Sequence, residues 1–372
     1  MTNTFTAVCI LIGTLIGAGF LAIPYVVMQS GFIIGLLTII VIAIIMIVVM
    51  LYLGEITLRT KQQHNLIGYA EHYLGPKGKK WMFFSFVWGV YAALLAYMIA
   101  EGQSLSFLFF GTTDYAFILA LVFWLALSCM TAAGTNILKK SESLGVVLVL
   151  IIVFSLVLLK SPDINLSNLS YVNLEHFLAP LGVVIFAFLG YSIVPELRRM
   201  LGRNGRYLKR SIIISYIIVA LVYAVFAALV LGFKGQGTPQ IATLVLGKPF
   251  ILLGVLTIFN ASLALSNAMI DTFKIDFKKT RKQAWFYTML LPLVVYALLS
   301  IKNSLDFITI ISIGGIISGG ITLVLILFMI PRAKIYGNRT PEFSIPYSKK
   351  FVWLVSVILI IALISEIVLI LS

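Results

Sequence analysis

The sequence predicts an all-α polytopic membrane protein with about eleven transmembrane helices, and three observations support this fold class. Of the 372 residues, 61% are hydrophobic and 11% are charged, whereas a soluble domain is roughly half apolar and a quarter charged. No charged residue precedes Glu55, and this stretch is long enough for two spans and too long for a signal peptide. Apolar runs then cover almost the whole chain, so we expect one transmembrane domain over residues 1–372.

A transmembrane helix needs about 20 mostly apolar residues, and the chain offers eleven runs of roughly this kind. The fifth run is short, and the first and the sixth are interrupted. The runs lie near residues 4–27, 32–55, 82–110, 115–138, 144–160, 175–199, 211–233, 249–274, 284–301, 305–330 and 351–371.

The basic residues predict the orientation of these spans. If the N-terminus is cytoplasmic, all 27 Lys and Arg residues except Lys160, Lys234, Lys248 and Lys302 fall in cytoplasmic loops, as the positive-inside rule requires. The C-terminus then lies outside. The net charge of +14 is therefore explained by topology, and we expect no nucleic-acid partner. We expect the protein in the plasma (inner) membrane, although an organelle membrane also fits.

The first run carries an interruption where a continuous helix is expected. The stretch GTLIGAGFLAIP holds Gly13, Gly17 and Gly19 and ends at Pro24, and both residue types weaken a helix interior. Irregular backbone survives at membrane depth only where protein or a water-filled cavity covers it. The break therefore indicates a binding site on bare backbone groups, unless the glycines only let helices pack closely.

The sixth run has a matching interruption, in which Gly190 and Pro195 bracket Tyr191 and Ser192. The two interrupted runs are five spans apart, so the second copy crosses the membrane in the opposite sense. Corresponding interruptions in two inverted halves mark the binding site of many secondary transporters. Two unrelated kinks remain the alternative, because Pro is frequent in transmembrane helices.

Three segments resemble the amino acid/auxin permease family of the amino acid–polyamine–organocation superfamily. They are GTLIGAGFLAIPYVVMQSGFIIG at 13–35, HNLIGYAEHYLGPKGKK at 64–80, which is similar to a cytoplasmic loop of that family, and FAFLGYSIVPE at 186–196. The resemblance implies a five-plus-five inverted repeat over about 4–160 and 175–330, with discontinuous helices 1 and 6 and an extra helix at 351–371. It also implies cation-coupled amino acid uptake.

An amino acid brings a carboxylate and an ammonium group into the membrane, and each needs partners there. A helix N-terminus after a break suits the carboxylate, and we assign this to Gly17, Ala18 and Gly19. Free carbonyls near Gly13 and Thr14, and from Phe186 to Gly190, would accept from the ammonium. The substrate side chain would meet Phe188, Tyr191 and Tyr97, each of which has packing or lipid contact as its alternative.

The coupling ion is predicted to be Na⁺ or H⁺. The resemblance implies a Na⁺ site built from carbonyls near Gly13 and Ile16 and oxygens of helix 8, where Asn260, Ser262 and Ser266 are the candidates. Ser262 and Ser266 share one helix face, with Asn260 nearly opposite Ser262; interhelical hydrogen bonding is the alternative role. The predicted fifth span has no interior Lys, and some proton-coupled relatives carry one there, so sodium is slightly favoured.

Acidic residues inside spans are functional by default. Glu101, one turn beyond Tyr97, is the candidate proton site, with a partly solvated position near the interface as the alternative. Glu366 in the last helix is expected at an interface, and Glu55 as an ordinary charge at a helix end.

The sequence thus predicts a secondary transporter of neutral amino acids, with bulky apolar or aromatic side chains as the favoured class. No charged residue lies in the expected pocket. The alternative is a non-transporting amino acid sensor that uses the same site, which the short segments outside the first and last helices disfavour. We expect no enzyme activity and no cofactor. The expected partners are the lipid bilayer and a small amino acid substrate. The sequence leaves open the oligomeric state, the direction of transport (import or export) and whether residues 234–248 form a lid.

Overall fold

The computed structural model describes residues 4–133, 155, 164–202, 204–301 and 306–371. These residues are overwhelmingly helical and contain no β-strand, as membrane spans must be either helical or closed barrels. Eight of the described helices are long and apolar enough to cross a membrane, and a bent pair makes nine if it is one span. The predicted fold class, an all-α polytopic membrane protein, is confirmed.

The helices are numbered here in chain order. They are α1 (Thr4–Leu15), α2 (Ala18–Ser30), α3 (Phe32–Arg59), α4 (Leu66–Phe110), α5 (Ala116–Ala133), α6 (Pro180–Ala187), α7 (Val194–Leu201), α8 (Gly205–Lys234), α9 (Lys248–Phe277), α10 (Arg281–Ile301), α11 (Phe307–Gly314), α12 (Gly320–Tyr336) and α13 (Lys349–Leu371). A π-helical segment, Gly315–Gly319, joins α11 to α12.

Most predicted spans match a described helix, and the predicted interruption of the sixth is confirmed. Helix α4 begins at Leu66 rather than near residue 82, so most of the predicted loop at 64–80 is helical, with non-helical backbone at Gly75. The predicted sixth span consists of two short helices, α6 and α7. The predicted fifth span, 144–160, lies outside the described residues except for Ser155. The total of eleven spans therefore stays a prediction.

The centre of the molecule is built around the broken helices. Helix α8 packs against α1, α2 and α3, while α2 also packs against α6. Helix α4 contacts α5, α9, α11 and α12. In its most apolar 18-residue stretch 67% is buried inside the protein, against 17% in the corresponding stretch of α13. The last helix is therefore peripheral, and α4 stands beside the site described below.

The segment between α12 and α13 folds back over one end of α3 and changes the role expected for Glu55. This side chain is fully buried and forms ion pairs with Arg59 at 2.8 Å and Lys334 at 2.7 Å. The backbone N–H of Ile345 also donates to it. Glu55 is thus not an ordinary end charge but holds α3, α12 and the returning segment together.

Candidate functional site

The first break is short and sharp. Helix α1 ends at Leu15, α2 begins at Ala18, and the two axes differ by 57°. The interruption is narrower than the stretch 13–24, because Gly13 lies within α1, and Gly19 and Pro24 lie within α2. Every residue from Leu15 to Pro24 is buried, so the break lies in the protein interior.

Two backbone N–H groups lie at this break. The N–H of Gly17 donates to the Leu15 carbonyl at 3.0 Å, and the Tyr97 hydroxyl lies near the N–H of Ala18. A Cβ on Gly17 would stand 2.7 Å from that hydroxyl oxygen. The structure therefore brings together three residues of the predicted site, Gly17, Ala18 and Tyr97, at the N-terminus of the 13-residue helix α2.

Three further residues of the predicted site, Gly13, Thr14 and Gly19, do not share these neighbours. The Thr14 hydroxyl donates to the Ile10 carbonyl at 2.9 Å, and Gly13 and Thr14 are half-buried. A Cβ on Gly19 would lie 2.7 Å from the Cα of Ala187 in α6. Close packing between α2 and α6 thus accounts for Gly19 in this conformation.

The second break runs from Phe188 to Ile193, between α6 and α7. Gly190 lies inside it, and Pro195 stands in the first turn of α7, where Pro is well tolerated. A Cβ on Gly190 would approach the Tyr216 hydroxyl at 2.8 Å and the Leu15 side chain at 3.1 Å. The two breaks are therefore close neighbours in space.

Two tyrosines of α8 bind the carbonyls that the breaks release. Tyr223 Oη lies 2.6 Å from the Leu15 carbonyl and 2.9 Å from the Ala187 carbonyl. Tyr216 donates to the Phe188 carbonyl at 3.0 Å. Both side chains are fully buried. Sequence reasoning missed them, although their spacing of seven residues places both on one face of an apolar helix.

The predicted aromatic residues of the second break face different neighbours. Phe188 lies against Tyr216 and Tyr223, with ring centroids 5.9 and 5.1 Å apart. Phe186 contacts the backbone position of Gly315. The Tyr191 hydroxyl is 2.7 Å from the Ser318 hydroxyl in the π-helical segment. Of the predicted pocket side chains, only Tyr97 lies directly at the first break.

A small cavity adjoins the first break. Its volume is about 10 Å³, which is room for about one water molecule, so no amino acid fits in this closed conformation. Its walls include Gly17 and Phe20 from the break, Gly254 and Ile258 from α9, and Thr243. Thr243 belongs to a 3-10 turn, Ala242–Val245, within the outer segment that was left open as a lid.

The candidate sodium residues lie further along α9. Ser262 is fully buried and donates to the Ile258 carbonyl at 2.8 Å, while Ile258 and Ile16 line the same cavity. Ser266 is also fully buried, and its hydroxyl has no hydrogen-bond partner within the described part of the chain. Asn260 is half-buried. Ser262 thus lies one turn of α9 beyond Ile258, which lines the cavity at the first break, and Ser266 lies one turn further on.

Glu101 of α4 is fully buried rather than partly solvated. Neither of its carboxylate oxygens has a hydrogen-bond partner among the described residues, and the same holds for the Ser104 hydroxyl one turn further on. Tyr97, Glu101 and Ser104 fall on one face of α4 by their spacing. An unpaired polar group in a transmembrane helix is costly, so its presence indicates a function.

Comparison with known protein families identifies the family of this chain. The model of the tryptophan/tyrosine permease family matches residues 1–241, nearly two thirds of the chain. The chain belongs to this family. It is therefore an amino acid permease embedded in the membrane. No curated protein matches the chain.

The assignment to the amino acid/auxin permease family was wrong, because the matching family is a different one. The motifs behind it were a glycine break followed by Leu-x-x-Pro-Tyr in residues 13–35, a Leu-Gly-Pro-Lys-Gly segment in residues 64–80 and a Gly-then-Pro interruption in residues 186–196. Glycine and proline interruptions occur in the discontinuous helices of many transporter folds. In this permease they located the breaks without separating one permease family from another.

Proposed function

We propose that this permease is a cation-coupled secondary transporter of aromatic amino acids that works by alternating access. Membership of the tryptophan/tyrosine permease family supports the substrate class. The observation that carries the proposal is the buried first break, where α2 begins beside Tyr97. Two neighbouring broken helices suit alternating access, since each half of a broken helix can tilt separately.

The substrate carboxylate would bind at the start of α2. The local bond from the Gly17 N–H to the Leu15 carbonyl would be exchanged for a bond to the carboxylate, and the Ala18 N–H, near the Tyr97 hydroxyl, would bind the carboxylate as well. The positive end of the α2 dipole favours that exchange. Gly19, which packs against Ala187, would contribute once α2 and α6 separate.

The ammonium group would bind carbonyl oxygens of the two breaks. The carbonyls of Leu15, Ala187 and Phe188 already lie within hydrogen-bond distance of tyrosine hydroxyls, but a carbonyl oxygen has two lone pairs and can accept a second hydrogen bond. Carbonyls near Gly13 and Thr14, and from Phe186 to Gly190, complete the candidate set. The aromatic side chain would then extend past Tyr97 towards the cavity.

The coupling ion is H⁺ or Na⁺, and each has a candidate site. An ionised carboxylate without a partner is very costly in a low-dielectric interior, so Glu101 must hold a proton or acquire a cation during the cycle. For Na⁺, the hydroxyls of Ser262 and Ser266, with Asn260 nearby, would join carbonyls near Gly13 and Ile16. The distribution of Lys and Arg favours a cytoplasmic N-terminus and an outer C-terminus.

Ligand binding and uptake by the purified protein test the proposal. Thermal unfolding in detergent is measured with each neutral amino acid, in Na⁺ and in K⁺, at two pH values. A ligand at a hundredfold excess over Kd adds about 2.7 kcal/mol to the free energy of unfolding. We expect Trp and Tyr to stabilise the protein, and Na⁺ or pH dependence to identify the coupling ion.

Uptake of labelled Trp and Tyr into proteoliposomes then separates a transporter from a sensor. We expect accumulation driven by a Na⁺ or a proton gradient, with empty liposomes as the control. Stabilisation by Trp or Tyr without accumulation would favour the sensor. Neither stabilisation nor uptake with any aromatic amino acid would overturn the proposed substrate class.

A further inference from the structure

The turn Ala242–Val245 closes the cavity beside the first break. It packs against α2, α4 and α9, and its Thr243 lines the cavity together with Gly17. This residue follows the part of the chain that the family model matches, which ends at residue 241. The turn is therefore a wall of the candidate site that family membership does not assign.

Thr243 has a buried hydroxyl without a hydrogen-bond partner among the described residues. Its side chain is 3% exposed, and its Oγ1 makes no hydrogen bond to any residue that the structure describes. The same oxygen lies 3.3 Å from where a Cβ on Gly254 would stand, so it faces another wall of the cavity. A buried donor and acceptor left unpaired is destabilising, which points to a ligand that pairs with it.

Most of the remaining walls are apolar or lack a side chain. Phe20, Leu21 and Leu253 are apolar, and Gly254 has no side chain to occupy the space beside Thr243, while Thr257 of α9 adds a second hydroxyl-bearing residue. Gly17, at the N-terminus of α2, and Thr243 line this same cavity. An amino acid whose carboxylate binds at Gly17 would thus have Thr243 within reach of its side chain.

We propose that Thr243 determines substrate specificity by hydrogen bonding to the polar atom of the aromatic side chain. The inference rests on the proposed function. A Thr hydroxyl can accept from an indole N–H and can either donate to or accept from a phenol O–H. Trp and Tyr each satisfy it, whereas Phe leaves it unpaired. A site that hydrogen-bonds its substrate in this way rejects the analogue that lacks the polar group.

Binding requires the turn to separate from α9, because a cavity of about 10 Å³ is too small for a ring. Gly247, between the turn and α9, has φ of +99°, a backbone conformation that favours glycine. It is the position where the direction of the chain can change as the turn moves. In the closed conformation, the turn Ala242–Val245 thus packs against α9 and fills the space that the substrate ring would need.

The experiment compares uptake of Trp, Tyr and Phe by Thr243→Val, which keeps the shape and removes the hydroxyl, and by Thr243→Ser, which keeps the hydroxyl. We expect the preference for Trp and Tyr over Phe in kcat/KM to fall about tenfold in Thr243→Val, the effect of roughly one hydrogen bond. Thr243→Ser should keep the preference. The readout is a ratio between substrates, so a lower amount of folded protein does not alter it.

Thr238→Val is the matched control. Thr238 is equally buried in the same outer segment, but its hydroxyl donates to the Gly235 carbonyl at 2.8 Å, and it does not line the cavity. Its preference among the three substrates should equal that of the wild type. If Thr243→Val yields no folded protein, Gly254→Ala replaces it: the added Cβ, 3.3 Å from the Thr243 oxygen, should lower the preference for Trp and Tyr over Phe, and an unchanged preference would count against the inference.

Two results would overturn the inference while leaving the proposed function intact. One is wild-type uptake of Trp and Tyr with the same preference over Phe in Thr243→Val. The other is an equal loss for all three substrates in that variant. Wild-type protein that takes up no aromatic amino acid would instead overturn the proposed function, and with it the role of Thr243.

Discussion

The two helix breaks look alike in sequence but differ in what surrounds them. At the first break, the N–H of Gly17 makes a local turn bond, the N–H of Ala18 lies near the Tyr97 hydroxyl, and a cavity lies alongside. At the second break, Tyr191 is bonded to Ser318 and the Phe188 carbonyl to Tyr216. The first break offers exchangeable groups to a ligand, whereas the second is anchored to neighbouring helices.

This difference suggests a division of labour. A ligand is best placed where hydrogen bonds can be exchanged at little cost, which is at the start of α2. The second break is best placed to pass motion on, since its side chains connect α6 and α7 to α8 and to the π-helical segment. Segments of π-helix occur frequently at functional sites. The variants below test whether the two breaks differ in this way.

The largest effect is expected for Gly17→Val. Its Cβ would stand 2.7 Å from the Tyr97 hydroxyl and would occupy the space through which a carboxylate approaches α2. We expect uptake of Trp to fall at least about a hundredfold, equivalent to roughly 2.7 kcal/mol or more, with no thermal stabilisation by substrate. Uptake into proteoliposomes and thermal unfolding measure the two effects.

Gly237→Val is the matched control for that variant. No heavy atom lies within 4 Å of a Cβ built at Gly237, so the same substitution should leave uptake within a factor of two or so of the wild type. Normal uptake by Gly17→Val would show that the start of α2 is not the carboxylate site. The comparison between the two breaks would then lose its main support.

The sequence predicted where both breaks lie but not what surrounds them. Gly and Pro mark a break through local backbone energetics, so residues near Gly17 and between Gly190 and Pro195 were found correctly. The partners of the released carbonyls are set by tertiary packing. Tyr216 and Tyr223 were two of 16 tyrosines in the chain, and no local signal showed that α8 would face both breaks.

The acidic residues show the same limit of sequence reasoning. Glu55 was expected as an end charge, yet the segment between α12 and α13 returns to bury it. Glu366 was expected at an interface with lipid or a second copy, yet its carboxylate accepts from Ser312 at 2.6 Å. Each outcome depends on a contact between residues far apart in sequence, which hydropathy and spacing do not report.

Tyr223→Phe tests whether the two breaks share one hydrogen-bond donor. The hydroxyl lies within hydrogen-bond distance of the Leu15 and Ala187 carbonyls but has one proton, so it donates to one of them at a time. Removing it leaves buried carbonyls less well satisfied, which costs about 1–3 kcal/mol in the free energy of unfolding. Thermal unfolding of the substrate-free protein measures this loss.

Tyr216→Phe is the control for that variant, because its hydroxyl donates to a single carbonyl, that of Phe188. We expect a smaller loss of stability than in Tyr223→Phe. Equal losses would indicate that Tyr223 serves only one break, and the coupling between the breaks through this side chain would have to be abandoned.

Glu101→Gln tests whether proton coupling belongs to the first break. Glu101 lies one turn from Tyr97 and has no partner in the described structure. If it carries the coupled proton, the amide should remove the dependence of Trp uptake on a pH gradient, a loss of about tenfold or roughly 1.4 kcal/mol. Uptake is measured at fixed inner pH while the outer pH is varied.

Glu366→Gln provides the matching test near the second break. Its carboxylate is bonded to Ser312, and a Cβ on Gly182 of α6 would contact the same Ser312. This carboxyl therefore adjoins the helix before the second break, and we expect its variant to keep the pH dependence of uptake. Loss of pH dependence in Glu366→Gln but not in Glu101→Gln would place coupling at the second break.

The smallest effect is expected for Ser262→Ala, which tests whether a sodium site joins α9 to the first break. The Ser262 hydroxyl donates to the Ile258 carbonyl, and its oxygen keeps lone pairs that a cation can use. If uptake depends on Na⁺, we expect the Na⁺ concentration for half-maximal uptake to rise about threefold, or roughly 0.7 kcal/mol. Ser266→Ala should act in the same direction, since both serines share one face of α9.

Thr272→Ala controls for the loss of a hydroxyl from this helix. Thr272 lies further along α9 and donates to the Ala268 carbonyl at 2.9 Å, the same intrahelical bond that Ser262 makes, but away from the cavity. A sodium requirement that shifts in both Ser262→Ala and Thr272→Ala would reflect altered helix packing. A requirement that shifts in neither would remove α9 from the ion site and leave Glu101, on the α4 face beside the first break, as the remaining coupling candidate.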